Sequence, residues 1–347
     1  MTTPRVHVAI PIRGVARWLD AALESLVAQS FTDWQATLVV DADLDEDEPC
    51  FDIAQRWSQQ EQRIGCLLPG RLGLPEALNL ATAQGQDCDF LARFDGDDIC
   101  SPMRLAKQVE FLDRHPEVDV LDCRSISFRD AEDGDLPEGM KRYQRWHDSI
   151  ESHEDFQREF LVENPVCHPC VMMRPEALEL LDDPERPYRD NGCPEDYDLW
   201  LRLLAAKARF HKLPEALVYW RDHPSRSTRT DSIYEKKAFF ESKWSHFSSN
   251  LLSDAGAIAV CGAGREGKRW IRALTEADRR PVAVAEVSPK AIGSTRHGAP
   301  VVPLDALADF APDLALVAVG TAGARTLIER QLRQMNIHSL AVAGIAS

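Results

Sequence analysis

The sequence predicts an α/β fold: a mixed, mostly parallel sheet with helices on both faces, followed by a second, smaller α/β unit. Three observations predict it. Residues 5–95 alternate strand-like and helix-like patterns, which is how parallel sheets are built. The alternation restarts near residue 256, after a helical stretch. The length of 347 residues also suits two domains at roughly 100–200 residues each.

The elements follow in order. RVHVAI reads as a strand ending at Pro11. ARWLDAALESLVAQS places Leu19, Ala22, Leu23 and Leu26 on one helical face. WQATLVV is a second strand, cut off by the acidic run DADLDEDE. FDIAQRWSQQ is helical, RIGCLLP a strand, LPEALNLATAQ helical, and DFLARF a strand ending at Asp95. In such sheets ligands bind outside the carboxyl ends of the strands. In SPMRLAKQVEFLDRHP, Ser101 suits an N-cap and Pro102 the first helical position. Leu105, Val109 and Leu112 make its buried stripe, and Pro116 ends it. Residues 129–160 are polar and weakly periodic, the pattern of an excursion over the sheet that shapes a substrate site. PCVMMR is a short strand, and EDYDLWLRLLAAKA a helix with Tyr197, Trp200, Leu201 and Leu204 on its apolar face. ALVYWRDHPSRSTR is strand then loop. These elements predict a first domain over 1–230, a helical linker over 231–252 and a second domain over 253–347.

Composition excludes several classes. The chain carries 40 Lys+Arg against 56 Asp+Glu, a formal charge of −16. Binding to duplex nucleic acid needs a basic footprint, and only a local basic patch would escape that argument, so no nucleic-acid partner is expected. No run approaches about 18 apolar residues, so no spanning helix is expected, which leaves peripheral membrane association open. MTTPRVHVAIPIRG does not read as a secretory signal. Nine cysteines at irregular spacing fit a reducing, cytoplasmic setting better than a disulfide framework. Cys167 and Cys170 form CHPC, but no second pair completes a zinc site, and a strand rather than a helix follows.

The chemistry concentrates in ARFDGDDICSP. A strand delivers Asp95, Gly96, Asp97 and Asp98 to a sheet edge. Three carboxylates in four residues repel one another unless a cation joins them. A hard divalent ion such as Mg²⁺ or Mn²⁺ takes carboxylates together with phosphate oxygens. A solvated turn at a helix start is the plainer alternative. Glu195 and Asp196 open the helix of the EDYDLW segment. Adjacent carboxylates near a metal and a phosphate push one pKa upward, which suits a general base. Acidic residues in a first helical turn are also routine. Arg221 and His223 flank a loop with Ser225, Ser227 and Arg229, suited to close over a pyrophosphate or simply to connect.

FLARFDGDDICSPMRLAKQVEFLDRHPEVDVLDC closely resembles the DxD block of inverting family 2 glycosyltransferases of the GT-A fold. Three further blocks resemble the family in order. They are VHVAIPIRGVARWLDAALESLVAQSFTDWQATLVVDAD, NPVCHPCVMMR and PEDYDLWLRLLAAKARFHKLPEALVYWRDHPSRS. The resemblance covers about residues 5–230 and implies a GT-A domain with a nucleotide-sugar donor, Mn²⁺ or Mg²⁺, and a glycan or lipid-linked acceptor in surface polysaccharide or glycoconjugate synthesis. It implies that Pro11 and Asp41 or Asp43 line the base and ribose. It places Asp95 against the nucleotide sugar and the metal on Asp97, with Asp95 beside it. It makes Asp196, or its neighbour Glu195, the base that deprotonates the acceptor hydroxyl. It sets His223 at a pyrophosphate or metal contact. His168 matches the His of the family's His-Pro strand, and a satisfied core histidine is the competing reading. Two departures leave the donor's base open. Ile12-Arg13-Gly14 follows the first Pro, and Asp41-Ala42-Asp43 replaces the paired Asp.

Two other motifs stand beside it. Asp41, Asp43, Asp45, Asp47 and Asp52 have calcium-loop spacing, but Glu46 stands where the turn needs glycine. Gly262, Gly264 and Gly267 in CGAGREG follow a strand and open a helix, with Glu286 ending the next strand. This resembles small Rossmann-like domains attached to sugar-modifying enzymes. Ninety or so residues hold barely more than one mononucleotide half, so tight packing is favoured over binding of NAD or another nucleotide. Rival functions are a phosphatase with its nucleophile in the DxD and a nucleotide-sugar-binding scaffold without turnover. Ile99 sits where the phosphatase needs Thr or Val, and the intact acids argue against a decayed site.

Overall fold

The computed structural model describes residues 3–43, 49–321 and 323–343. Asp45, Glu46 and Asp47 of the calcium-loop comparison lie outside them. The chain divides into two compact units, Met1–Phe156 with Val166–Ser242, and Gln157–Pro165 with Lys243–Ser347.

The first unit is built on a sheet of eight strands: β1 Val6–Ile12, β2 Trp34–Val40, β3 Ile64–Leu67, β4 Phe90–Arg93, β5 Ile99–Cys100, β6 Val120–Phe128, β7 Met172–Met173 and β8 Phe210–Arg221. Their order is β3-β2-β1-β4-β7-β6-β8-β5. β1 pairs in parallel with β2 and β4, and β2 with β3. β7 runs antiparallel to both β4 and β6, so β6 and its parallel partner β8 point the same way as β1 and β4. The carboxyl ends of β1, β2, β4, β6 and β8 therefore share one edge. Every residue of β1 is buried, as a strand covered on both faces requires.

β1 continues through Pro11, which pairs with Val39, rather than ending there. Ala9 O accepts from Phe94 N, so Ala9 and Pro11 both turn their backbone polar groups toward β4. Pairing with β4 stops at Ala9, so the missing Pro11 N–H breaks no ladder bond. Ser101 is not an N-cap. Ile99 and Cys100 pair with β8, and Ser101 N continues that ladder to Leu217 O at 2.8 Å. The helix starts at Arg104, with Leu105, Val109 and Leu112 buried as expected. The helix Glu195–Ala205 buries Leu203, and Leu204 is only half-buried. The excursion beyond β6 holds the helix Glu138–His147.

The second unit carries β9 Ile258–Cys261, β10 Ala283–Ala285, β11 Thr295–Arg296, β12 Ala299–Val302, β13 Leu314–Val317 and β14 His338–Ala341, ordered β11-β12-β10-β9-β13-β14. Apart from the β11/β12 hairpin the strands are parallel. Their 3-2-1-4-5 order is that of a doubly wound sheet, and strands lie on both sides of β9. The unit thus holds more than one mononucleotide half. A Cβ on Gly267 would meet Gly262 O at 1.8 Å, and Gly262 has φ +102°. Those two glycines serve close strand–helix packing, whereas a Cβ on Gly264 would meet nothing within 4 Å. Glu286 Oε2 accepts from Ala263 N at 2.8 Å. Among the described residues no helix is long and apolar enough to cross a membrane.

Candidate active site

β4 ends at Arg93, and the next residues turn at the shared edge. The carboxylates of Asp95, Asp97 and Asp98 can bring one oxygen each within 4.8 Å of the others. Each acid has its own surroundings. Asp95 takes an ion pair from Arg93, whose guanidinium is buried and whose Nε has no partner. Asp97 Oδ2 lies 2.8 Å from His223 Nε2. Burial pushes the Asp97 carboxyl up, but the His223 hydrogen bond and the charge of Arg226 outweigh it and hold it below its ordinary value. Asp98 is 1% exposed; its Oδ1 accepts from Arg221 N at 2.8 Å and its Oδ2 has no partner among the described residues. Burial and the charges of Asp97 and Asp95 raise it well above the carboxylate range.

The end of β8 closes this cluster. Arg221 donates from Nε to Asp97 O at 2.7 Å and pairs with Asp130 just beyond β6. Its guanidinium lies over Phe128, 4.5 Å from the ring centre. Asp222 is buried and binds Arg129 at 2.6 Å and Arg229 at 2.6 Å, which ties the β6 end and the following loop to β8. His223 stacks near Trp18, 4.2 Å between ring centres, and its Nδ1 is 2.9 Å from Ser225 Oγ. Arg226 stacks on Trp220 at 4.2 Å, with a buried, unpartnered NH1.

Glu195 and Asp196 open the helix Glu195–Ala205, and Arg93 acts on Glu195 through its charge. Glu195 is 3% exposed and accepts from Tyr234 OH at 2.7 Å. Burial, then the neighbouring Asp196 charge, push the Glu195 carboxyl up to about 8, against the pull of Tyr234 and Arg93. Asp196 is half-buried, and its Oδ1 accepts from Tyr197 N at 2.6 Å. His168 is buried, with Nε2 2.9 Å from the OH of Tyr188, which feels the Glu195 and Asp196 charges. Burial and the Arg93 charge push the His168 pKa well down, so the ring is neutral. Tyr188 is itself pinned by reciprocal 2.9 Å bonds with Asn79. At the β2 end, Asp41 is buried and its Oδ1 accepts from Leu72 N at 2.5 Å and Gly73 N at 2.9 Å. Asp43 is exposed, and Pro11 is buried in β1.

Residues 7–181 match the sequence model of the family described as "Glycosyl transferase family 2". The chain belongs to glycosyl transferase family 2. Among its relatives is the amylovoran biosynthesis glycosyltransferase AmsE of Erwinia amylovora, 30% identical over 58% of this chain and 69% of the relative. The putative glycosyltransferase EpsE of Bacillus subtilis is 30% identical over 67% of this chain and 78% of its own. The O-antigen biosynthesis glycosyltransferase WbnJ of Escherichia coli is 25% identical over 66% and 83%. In fold, the chain resembles residues 1–349 of S. aureus TarS, solved in complex with UDP-GlcNAc, with a TM-score of 0.54 at 16% identity over 71% of this chain and 67% of that one. It also resembles the mannosyltransferase PcManGT of Pyrobaculum calidifontis, solved with GDP-Man and Mn²⁺, with a TM-score of 0.50 at 16% identity over 72% and 65%. The protein is therefore a glycosyltransferase with the GT-A fold.

In this family 2 enzyme the structure bonds Asp97 to Arg221 and His223 and gathers Asp95 beside Asp97. Arg93 joins that cluster electrostatically to Glu195. Arg93, Trp18, Asp130, Arg226, Tyr188 and Tyr234, none of them singled out from the sequence, complete the site together with Asp98. Asp98 was visible within the DGDD run. Tyr234 carried no signal, because it lies in a stretch that read as a linker.

Proposed function

We propose that the enzyme transfers a sugar from a nucleotide-diphosphate donor to an acceptor hydroxyl, with inversion and in a metal-dependent way. The observation that carries this reading is the grouping of Asp95, Asp97 and Asp98 oxygens within 4.8 Å at the carboxyl end of β4. All are hard oxygen donors, the set Mn²⁺ and Mg²⁺ take, and the buried Asp98 Oδ2 is orphaned without a cation. Asp97 and Asp95 would hold the ion, which neutralises charge on a departing diphosphate when bound. Pro11 and Asp41 or Asp43 line the nucleoside, at the ends of β1 and β2. His223 and Arg221 position the loop that faces the diphosphate. Asp196 takes the proton of the acceptor hydroxyl as its oxygen forms the new bond to the anomeric carbon. The bond to the diphosphate breaks on the opposite face, and the diphosphate leaves with that electron pair. The relatives named for amylovoran and O-antigen synthesis support a surface polysaccharide or glycoconjugate as the setting, with a glycan or lipid-linked acceptor.

The test is transfer from a panel of UDP-, GDP- and dTDP-sugars with Mn²⁺, with the product's anomeric configuration read by NMR. Transfer with inversion that stops in EDTA and returns with Mn²⁺ is expected. Full transfer in excess EDTA, or a retained configuration, overturns the reading.

A further inference from the structure

Glu195 sits in the first turn of its helix, yet it is almost fully buried. A carboxyl there draws little from water and needs a partner. Its hydrogen-bond partner comes from a different stretch of chain, the one-turn helix Ser232–Tyr234. That turn is built locally: Asp231 Oδ1 accepts from Ile233 N at 3.1 Å, and Asp231 O accepts from Tyr234 N at 3.2 Å. The same stretch begins at the other half of the site. There Arg221 and His223 hold Asp97, and Asp222 fastens Arg229 with bonds of 2.6 and 2.8 Å. One run of chain, 221–234, thus bonds Asp97 near its start and Glu195 at its end.

We propose that Tyr234 is a positioning residue for the transfer step: its hydroxyl fixes the Glu195 carboxyl, and through Glu195 the adjoining Asp196 carboxylate, against the acceptor hydroxyl. The proposal rests on the reading of Asp196 as the base. Tyr234 O–H donates to Oε2, so a proton on Glu195 sits on Oε1. A neutral Glu195 leaves Asp196 as the one anion of the pair. The other groups that act on Glu195 are Asp196 on its own helix, Arg93 at the end of β4, and Tyr188, which feels the Glu195 charge. The hydroxyl bond pulls the Glu195 pKa down, so its removal raises it further.

Tyr234→Phe removes only the hydroxyl. Its kcat at saturating donor and acceptor should fall about tenfold, the scale of one hydrogen bond to a carboxyl group. Donor affinity should change little, because the lost hydroxyl bonds Glu195. Ionisation of Glu195 puts a second charge beside Asp196 and should change kcat at alkaline pH; in Tyr234→Phe that transition should move to higher pH, and Glu195→Gln should abolish it. Replacement of Tyr234 by 3-fluorotyrosine keeps the packing and strengthens the donor, so the transition should move to lower pH. An unshifted pH profile in both Tyr234 variants, or a wild-type kcat in Tyr234→Phe, overturns the proposal. Asp196→Asn separates the two failures. If it keeps wild-type turnover, the base reading itself has failed; if it is inactive while Tyr234→Phe is normal, only the positioning role has.

Discussion

Glu195 and Asp196 are adjacent, but their surroundings differ. Glu195 is buried against Tyr234, with its pKa lifted to about 8, while Asp196 is half-buried at the helix start. A base must be ionised before it takes a proton, which favours Asp196 near neutral pH. Asp196→Asn should lower kcat by about 10²–10⁴-fold with little change in donor affinity. Single-turnover transfer at saturating donor measures this, and near-normal turnover would remove Asp196 from the mechanism. Glu195 makes a separate prediction about stability. Its folded pKa is raised, so the folded state binds more protons than the unfolded one between the ordinary carboxyl value of 4.5 and about 8. Stability from this group is therefore full below that window and is lost as pH rises through it. Buried His7, lowered to about 4 by burial, slopes the other way. The informative quantity is the difference in melting temperature between wild type and Glu195→Gln from pH 5 to 8. The wild type should lose stability relative to the variant as pH rises. A constant difference would contradict the buried, raised carboxyl.

At the level of elements, the long periodic helices and the strands of the first ninety-odd residues were legible, because apolar spacing decides them. The strand β6, VLDCRSISF, is harder to read because the charged Asp122 and Arg124 interrupt its apolar residues. The structure shows Asp122 buried, with His147 Nε2 at 3.0 Å and Lys212 Nζ at 3.4 Å, so a buried ion cluster masks the strand. The tiny strands β5 and β7 have no periodicity to read and exist only through pairing with β8 and with β4 and β6. In the second unit the glycine motif was legible, but not which glycine does what. The added-Cβ distances separate them. Gly267→Ala would drive its methyl into the Gly262 carbonyl and should destabilise by about 1–3 kcal/mol, the range for overpacking. Gly264→Ala has open space and an ordinary φ of −69°, so it should stay within about 0.5 kcal/mol of wild type. Urea unfolding of the two variants checks the contrast. Equal effects would mean that the close approach of Gly267 does not constrain this turn.

For the whole molecule, the restart at residue 256 marked a second unit, but a contiguous boundary near 252 does not describe how the chain is divided. Residues 157–165 lie within the sequence of the first unit and pack with the second. No sequence pattern signals this, because the segment's partners are far away along the chain. Glu159 is nearly fully buried and takes two hydrogen bonds from Arg325, at 2.9 and 2.6 Å. Lys243, also buried, donates to Val162 O at 2.8 Å. A chain cut after Leu252 keeps Lys243 but loses Arg325. Removing a cation from a buried carboxylate leaves charge poorly compensated, and hydrogen bonds to charged groups are worth about 1.5–3 kcal/mol. The full-length Arg325→Ala variant should therefore lose about 1.5–3 kcal/mol, read from urea unfolding. The truncated chain should lose at least as much, read as a lower melting temperature and a greater tendency to aggregate. Arg325→Lys keeps the charge but not the two-pronged geometry, and should fall between Ala and wild type. If Arg325→Ala melts like wild type and the truncated chain stays soluble and equally stable, the 157–165 segment does not depend on the second unit. The first 252 residues would then fold as an independent domain.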